Sequence, residues 1–447
     1  MTDQIHRILT RVQKPARYVG GEYNQIVKRK QDVDVRVAFC FPDTYEIGMS
    51  NIGMRILYGV MNEMPGVWCE RVFAPWGDME AEMRANRLPL WALESHDPVR
   101  DFDLVAFTLG YEMCYSNVLN MLELSGLPLL AKDRKGLEGI VFAGGVCTVN
   151  PEPLADFIDF FSIGEGEEST REIIECYRAA KRQGLSKQEF LREAAKLEGV
   201  YVPSLYTHTY NPDGTLAAIT PAPGAPARVK KRIVQDLDRA YFPTKTIVPS
   251  TEIVQDRVSL ELFRGCTRGC RFCQAGMICR PVRERSREKV VEYAKNQLEN
   301  TGYDEMSLLS LSTSDYSEIE PLVTELMQVC KAREAGLSLP SLRLDSFSYD
   351  VLNEIQEYRK TGLTFAPEAG TQRLRNIINK SITDEHIYSA AEQAIRLGYN
   401  NIKLYFMIGL PGETIQISGG RILIDGEAYK EGKDFPMINN PGMAANA

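Results

Sequence analysis

Short apolar runs alternate with helical patterns twice along this chain, and that repeated alternation restricts it to two α/β bodies. The first series opens with Val35-Arg36-Val37-Ala38-Phe39-Cys40-Phe41, which stops at Pro42-Asp43. A helical pattern follows from Gly53 to Met61. Next come the run Asp103–Thr108, a helical stretch Tyr115–Leu122, the run Gly139–Gly145, and the run Asp159–Gly164, which opens into the acidic helix start Glu165-Gly166-Glu167-Glu168. Runs that are apolar throughout suit strands buried on both faces of a parallel sheet. The second series places strands at Val258–Phe263, Met306–Ser312, Leu342–Phe347, Leu363–Ala366 and Asn401–Ile408. Ser286 is placed to cap the helix through Val290 and Leu298, and Ser317-x-x-Glu320 reads as a capping box. Thr383 starts a further helix, with Asp384 and Glu385 at its positive end. Five such repeats in one direction imply a barrel or part of one, with chemistry on loops at the carboxyl ends of the strands.

Residues 178–257 interrupt the pattern. Asn211-Pro212-Asp213-Gly214 is a hairpin turn, and Thr220–Ala227 has the composition of a stiff linker. The expected division is therefore an extension over 1–33, a Rossmann-like domain over 34–180, a connecting segment over 181–257, a barrel-type core over 258–414 and an atypical tail over 415–447. A net charge of −8, from 52 basic and 60 acidic residues, argues against a chain that grips nucleic acid by bulk charge. No apolar run approaches the ~18 residues of a membrane span. The stretch from Met1 to Gly21 lacks the apolar core of a signal peptide.

Ten cysteines are too sparse for a disulfide scaffold, and the expected compartment is the reducing cytoplasm. Cys40, Cys69, Cys114, Cys147, Cys176, Cys279 and Cys330 are scattered, as small buried apolar residues are. Cys266, Cys270 and Cys273 instead share one loop, Gly265-Cys266-Thr267-Arg268-Gly269-Cys270-Arg271-Phe272-Cys273, just after the first strand of the second series. Three thiolates in a Gly-rich loop suit a soft metal centre. Structural zinc usually wants four ligands, and the nearest spare is Cys279. A set of buried cysteines fits poorly in a loop full of Gly, Arg and Thr. Three ligands on a four-iron cluster would leave one iron open to a substrate or cofactor.

The CxxxCxxC spacing, with an aromatic residue before the last Cys, resembles the cluster loop of the radical S-adenosylmethionine (SAM) enzymes. Leu311-Ser312-Thr313-Ser314-Asp315 lies where that family binds the methionine amino group, though it departs from the common Gly-Gly-Glu. Pro367-Glu368-Ala369-Gly370-Thr371 ends the fourth strand, where polar contacts to the cofactor are common. Ile408-Gly409-Leu410-Pro411-Gly412-Glu413-Thr414 resembles the fifth-strand motif beside adenine. The resemblance implies a 4Fe-4S cluster on Cys266, Cys270 and Cys273, with SAM contacts from Phe272, Ser312, Glu368 and Gly409. Phe272 would shield the cluster and pack near adenine. It also implies a reductant such as flavodoxin or ferredoxin, one-electron cleavage of SAM to methionine and a 5′-deoxyadenosyl radical, and hydrogen abstraction from a substrate.

The first series resembles the cobalamin-binding domain that precedes many radical SAM enzymes. That pattern has Asp-x-His-x-x-Gly, then Ser-x-Leu, then Gly-Gly. Here Asp43, Tyr45 and Gly48 fill the first loop, Thr108 replaces the Ser, and Gly144-Gly145 supplies the last element. Neutral tyrosine is a poor cobalt ligand, so the resemblance implies cobalamin without a histidine below the metal. Gly144-Gly145 would let the backbone approach the nucleotide tail. The alternative is a Rossmann-like docking surface that no longer binds cobalamin. None of His6, His96, His208 and His386 lies in the expected loop. The resemblance spans about residues 15 to 414.

The function implied is a radical enzyme, for methyl transfer or other C–H functionalisation; no residue points to its substrate. Two alternatives stand beside it. One is an RNA- or ribosome-modifying methylthiotransferase-like enzyme, against which no RNA-binding module is visible. Lys230-Lys231-Arg232 and the cluster Arg280–Arg287 read as solvated faces. The other is an iron–sulfur electron-transfer or sensor protein, which would not cleave SAM. After Thr414 the pattern changes: Ile415–Glu427 reads as two short strands around Gly419-Gly420. Ile408–Glu427 resembles a stretch of type I signal peptidases. The expectation is a chimera joined at 408–414, with the barrel truncated after its fifth strand, a poorly packed tail and no protease activity.

Overall fold

The computed structural model describes residues 2–339, 343–345, 363–399, 401–418, 421–424 and 427–428. They form two compact units, one of residues 1–260, 285–306 and 333–335, the other of residues 261–284, 307–332 and 336–447.

The first unit is built on β1 (Val35–Phe41), β2 (Val67–Phe73), β3 (Leu104–Thr108), β4 (Ile140–Gly144), β5 (Phe160–Ser162) and β6 (Val200–Tyr201), in the order β2-β1-β3-β4-β5-β6. All pairs are parallel except β5 with β6. The alternation along β1 explains why both faces are covered. Val35, Val37, Phe39 and Phe41 pack in one core with Met54 and Tyr58 of helix Ile52–Glu63 and with Ile173 and Tyr177 of helix Gly166–Gln183. Ala38 and Cys40 pack in the other with Met79 and Met83 of helix Gly77–Asn86 and with Val118 and Met121 of helix Tyr115–Ser125. The order reverses between β1 and β3, and in open sheets of this kind ligands bind outside the carboxyl ends at that switch point.

β2 is the strand that the apolar-run reading omits, because Glu70 and Arg71 sit in its middle. Both are buried in ion pairs. Glu70 meets Arg36 at 2.5 Å, and Arg71 lies between Glu22 at 2.8 Å and Glu94 at 2.7 Å. β2 is also an edge strand, yet its outer backbone groups are occupied. Lys28 Nζ donates to the Val67 carbonyl, the Asn62 amide bonds both backbone groups of Cys69, Arg71 N–H donates to Glu94, and Leu93 N–H donates to the Arg71 carbonyl.

The expected hairpin is present as β7 (Tyr206–Tyr210) and β8 (Leu216–Pro221), with Asp213 accepting from Thr215 in its turn. Arg285 corrects the solvated reading of the basic stretch 280–287: it is buried, with its guanidinium over the rings of Phe242 and Tyr293.

Farther along, β9 (Val258–Glu261), β12 (Glu305–Leu309) and β13 (Gly336–Ser338) share a sheet in the order β13-β12-β9. The third strand of this series therefore lies earlier than Leu342–Phe347. Of that run only Arg343–Asp345 are described, with Leu344 and Asp345 in a turn; the remainder lies outside the described residues. β14 (Leu363–Glu368) and β15 (Ile402–Phe406) pair in parallel, with an irregularity between Phe365 and Glu368. Ser286 and Thr383 cap their helices as expected. Ser317 donates through both its hydroxyl and its N–H to Glu284. The hairpin after Thr414 is formed by β16 (Ile415–Ser418) and β17 (Arg421–Ile424), joined by β18 (Glu427–Ala428). The packing expected of residues 415–447 lies outside the described residues.

Candidate functional site

The cysteine loop is closed at its neck by a short antiparallel ladder, β10 (Phe263–Arg264) with β11 (Arg283–Glu284). Gly265 is required there. Its φ is +91°, and a Cβ would lie 2.6 Å from the Pro281 carbonyl oxygen, so the two ends of the loop could not close around a side chain. Arg271 N–H donates to the Ile378 carbonyl and Asn379 Nδ2 to the Gly269 carbonyl, both at 2.9 Å, which pins the loop against residues 378–379.

Cys266, Cys270 and Cys273 are free and half-buried in this loop. Among the described residues no three His, Cys, Asp or Glu side chains converge to hold a single ion. A cluster makes a different demand, since each cysteine binds a separate iron. The donor set fits one: three soft thiols on a Gly-rich loop, with Gly276 N–H donating to Cys273 Sγ at 3.3 Å. Phe272 stands beside them, 40% exposed.

Around the loop lies a polar network that its sequence does not advertise. Arg268, between the first two cysteines, forks onto Asp315, with Nε 2.8 Å from Oδ2, and reaches Asp345 at 3.4 Å. Hydrogen bonding to Asp315 pushes the Arg268 guanidinium up. Burial alone would raise the Asp315 carboxyl, but Arg268 and Ser312 outweigh it and hold it below the usual range. Ser312 is buried and donates to Asp315 at 2.7 Å, so its hydroxyl is already committed to that carboxylate. Asp345 also accepts from Arg343 at 2.8 Å and Ser381 at 3.1 Å.

Glu368 ends β14 with φ +68°, a conformation that non-glycine residues rarely adopt and that is often found at functional sites. It pairs with buried Lys380 at 3.3 Å. Arg375, fully buried, donates to the carbonyls of Ala369, Gly370 and Ile382 and so fixes the turn after Glu368. Gly409 has φ +85° and open space where a side chain would be. Glu413 folds back to accept from the N–H groups of Gly409 and Leu410.

In the first unit, Asp43 follows β1 while Thr108 and Gly144 end β3 and β4, at the carboxyl edge beside the switch point. Tyr111 donates to Asp43 across that edge. The other three residues are used internally. Tyr45 is buried, its hydroxyl donates to Glu22 at 2.9 Å and its ring packs edge-on to Phe73. A Cβ on Gly48 would lie 2.3 Å from the Phe73 ring, and one on Gly145 would lie 2.5 Å from the Leu109 carbonyl oxygen. The close approach expected at Gly145 is thus to Leu109. Apolar side chains nevertheless stand exposed after four of these strands: Ile47, Trp76, Met113, Val146 and Val149.

Residues 260–417 match the family described as Radical SAM superfamily, and residues 53–203 match Radical SAM proteins, N-terminal. The uncharacterized protein MJ0966 of Methanocaldococcus jannaschii is 26% identical over 417 residues, covering 91% of this chain and 76% of that protein. The uncharacterized methyltransferase PH0819 of Pyrococcus horikoshii is 23% identical over 285 residues, 62% of this chain and 55% of that protein. Among solved structures, the cobalamin-dependent S-adenosylmethionine radical enzyme OxsB with aqua-cobalamin bound aligns with a TM-score of 0.54 at 13% identity, covering 84% of this chain and 49% of that one. The radical SAM methyltransferase TsrM from Kitasatospora setae, with tryptophan and a SAM analog bound, gives a TM-score of 0.57 at 13% identity, covering 85% and 69%. This chain thus spans about half the length of OxsB and of PH0819. It carries a radical SAM superfamily domain, is an enzyme, and has the α/β fold of those structures. The domain implies a 4Fe-4S cluster and SAM. These matches lend no support to the signal-peptidase resemblance of Ile408–Glu427; the radical SAM match continues to residue 417, past the expected junction. No helix among the described residues is long and apolar enough to cross a membrane.

Proposed function

We propose that the chain is a cobalamin-dependent radical SAM methyltransferase that acts on carbon. The observation that carries the reading is the cysteine loop: three free, half-buried thiols on a neck closed by β10 and β11, within the radical SAM match. When bound, the cluster and SAM supply one-electron cleavage of the sulfonium bond, and cobalamin supplies a methyl carrier. Cys266, Cys270 and Cys273 hold the cluster. Ser312 and Asp315 line the side of the methionine amino group of SAM, Glu368 orients its polar part, and the open side of Gly409 admits the flat base, with Phe272 covering the cluster. The likeness to OxsB and TsrM, and the exposed apolar residues at the carboxyl edge of the first sheet, support cobalamin beside Asp43, Thr108 and Gly144. A flavodoxin or ferredoxin is the proposed electron donor, and ten free cysteines accord with a reducing cytoplasm.

Anaerobic purification with iron, sulfide and corrin analysis, followed by a SAM cleavage assay, tests this reading. The expected result is about four irons per chain, bound corrin, and reductant-dependent loss of SAM. A cluster that cycles between redox states while SAM stays intact would assign the protein to electron transfer or sensing instead. Because Tyr45 stands where the resemblance expects a histidine, the cobalt(II) form should show an electron paramagnetic resonance spectrum without nitrogen splitting from the protein. Such splitting would place an unforeseen histidine on the metal.

A further inference from the structure

Resting on that reading, we propose that the outer face of the cysteine loop is the docking surface for an acidic one-electron carrier protein. The chain has a net charge of −8, yet the stretch from Glu261 to Glu284 holds five arginines and two glutamates, a local net of +3. Both glutamates are engaged. Glu261 accepts from Arg264 at 2.8 Å, and Glu284 accepts from the Ser317 N–H at 3.2 Å. Arg268 is turned to Asp315. That leaves Arg271, Arg280 and Arg283 around the thiols. Arg271 directly follows Cys270, is exposed, and donates from its guanidinium to the Ile377 carbonyl. Arg280 is also exposed, and a Cβ on Gly269, between the first two cysteines, would lie 3.8 Å from its Nη2. Arg283, half-exposed on β11, donates from Nε to the Pro281 carbonyl at 3.2 Å. A carbonyl acceptor orients a guanidinium without cancelling its charge. Interleaved with these arginines in the chain are three exposed apolar side chains, Phe272, Met277 and Val282, with Met277 54% exposed.

A few adaptable apolar side chains among cations suit the weak, transient contacts of electron carriers, which bury less than about 1,200 Å². An acidic carrier is repelled by a chain of net charge −8 and attracted at this loop, so its approach is steered to the thiols. On docking, the carrier loses one electron and the cluster gains it; no bond forms and no proton moves. RNA is a poorer match, because phosphate-driven binding uses roughly six to ten contacts and this face offers three arginines.

The test is anaerobic stopped-flow bleaching of the cluster-loaded full chain by reduced flavodoxin, by reduced ferredoxin, and by photoreduced deazaflavin, which has no protein surface. Arg271→Glu with Arg280→Glu should slow bleaching by the two acidic proteins roughly ten-fold or more at low salt, the scale of lost steering, and leave the deazaflavin rate unchanged. Retention of oxidised flavodoxin in ultrafiltration should weaken in that variant, and in the unaltered protein as salt is raised. Unchanged bleaching by both proteins, equal slowing with all three donors, or failure of both proteins to reduce the unaltered cluster overturns the proposal. So does a short RNA that binds through the same arginines more tightly than either carrier. If the double variant fails to hold its cluster, Arg271→Gln with Arg280→Gln is measured and should show a smaller slowing. Loss of the cluster there too shows that the arginines build the loop, which also overturns the docking surface. An unaltered protein that holds no cluster reducible by deazaflavin overturns the functional reading itself, and the docking proposal with it.

Discussion

Arg71→Ala is expected to destabilise the first unit by about 3–5 kcal/mol or more, the cost of breaking a buried ion pair by removing one partner. Arg71 donates through both terminal nitrogens to Glu22 and through Nε and its backbone N–H to Glu94. All three side chains are almost wholly removed from water. Burial drives the Glu94 carboxyl upward even with Arg71 present. In Glu22, Arg71 overcomes burial and holds the carboxyl down. Removing the guanidinium leaves two buried carboxylates without their cation. Against a typical stability of about 5–15 kcal/mol, a large share is lost. The measurement is convenient, because Trp68, Trp76 and Trp91 are the chain's three tryptophans and all lie in the first unit. Their fluorescence in urea follows that unit alone. Neutralising the site together, as Arg71→Met with Glu22→Gln and Glu94→Gln, should recover much of the loss. A single variant that unfolds at the unaltered urea midpoint would show that the triad is not holding the sheet.

Cys266→Ala, Cys270→Ala and Cys273→Ala are each expected to abolish the broad visible absorption of the reconstituted cluster, whereas Cys279→Ala should keep it. Cys279 lies after the one-turn helix Ala275–Ile278, and its backbone carbonyl approaches Gly265 at the neck. The first three fall within eight residues of one Gly-rich loop, where each can bind a separate iron. Iron content and absorption of the four variants, purified without oxygen, decide the matter. Loss in Cys279→Ala with retention in Cys266→Ala would require a different ligand set.

Most of the first sheet was legible because β1, β3, β4 and β5 are continuous apolar runs with both faces buried. β2 was not, since a buried charge pair reads in sequence as an exposed one. The strand at Gly336–Ser338 was missed because three residues carry too little pattern, and the richer run after it drew the assignment. In the site, the cysteines were visible from spacing alone. Arg268, Asp315 and Arg375 were not singled out as working groups, because an isolated charged residue in sequence resembles any solvated side chain. Their partners lie 47, 77, 7 and 9 positions away. Glycine was legible as close backbone approach at Gly145 and as a motif position at Gly48, but only the fold identifies Leu109 and Phe73 as the neighbours that require them.

The occupied outer backbone of β2 decides how the first unit behaves in company. An edge strand with open N–H and C=O groups is a template on which another chain can add a strand. Here Lys28, Asn62, Glu94 and Leu93 fill those positions at Val67, Cys69 and Arg71. Glu94 therefore performs two tasks with one carboxylate, neutralising a guanidinium and closing a polymerisation surface. Arg71→Ala removes the cation that holds that carboxylate and uncovers the one edge position that Glu94 fills, so concentrated solutions of the variant should form more strand-paired aggregates than the unaltered protein.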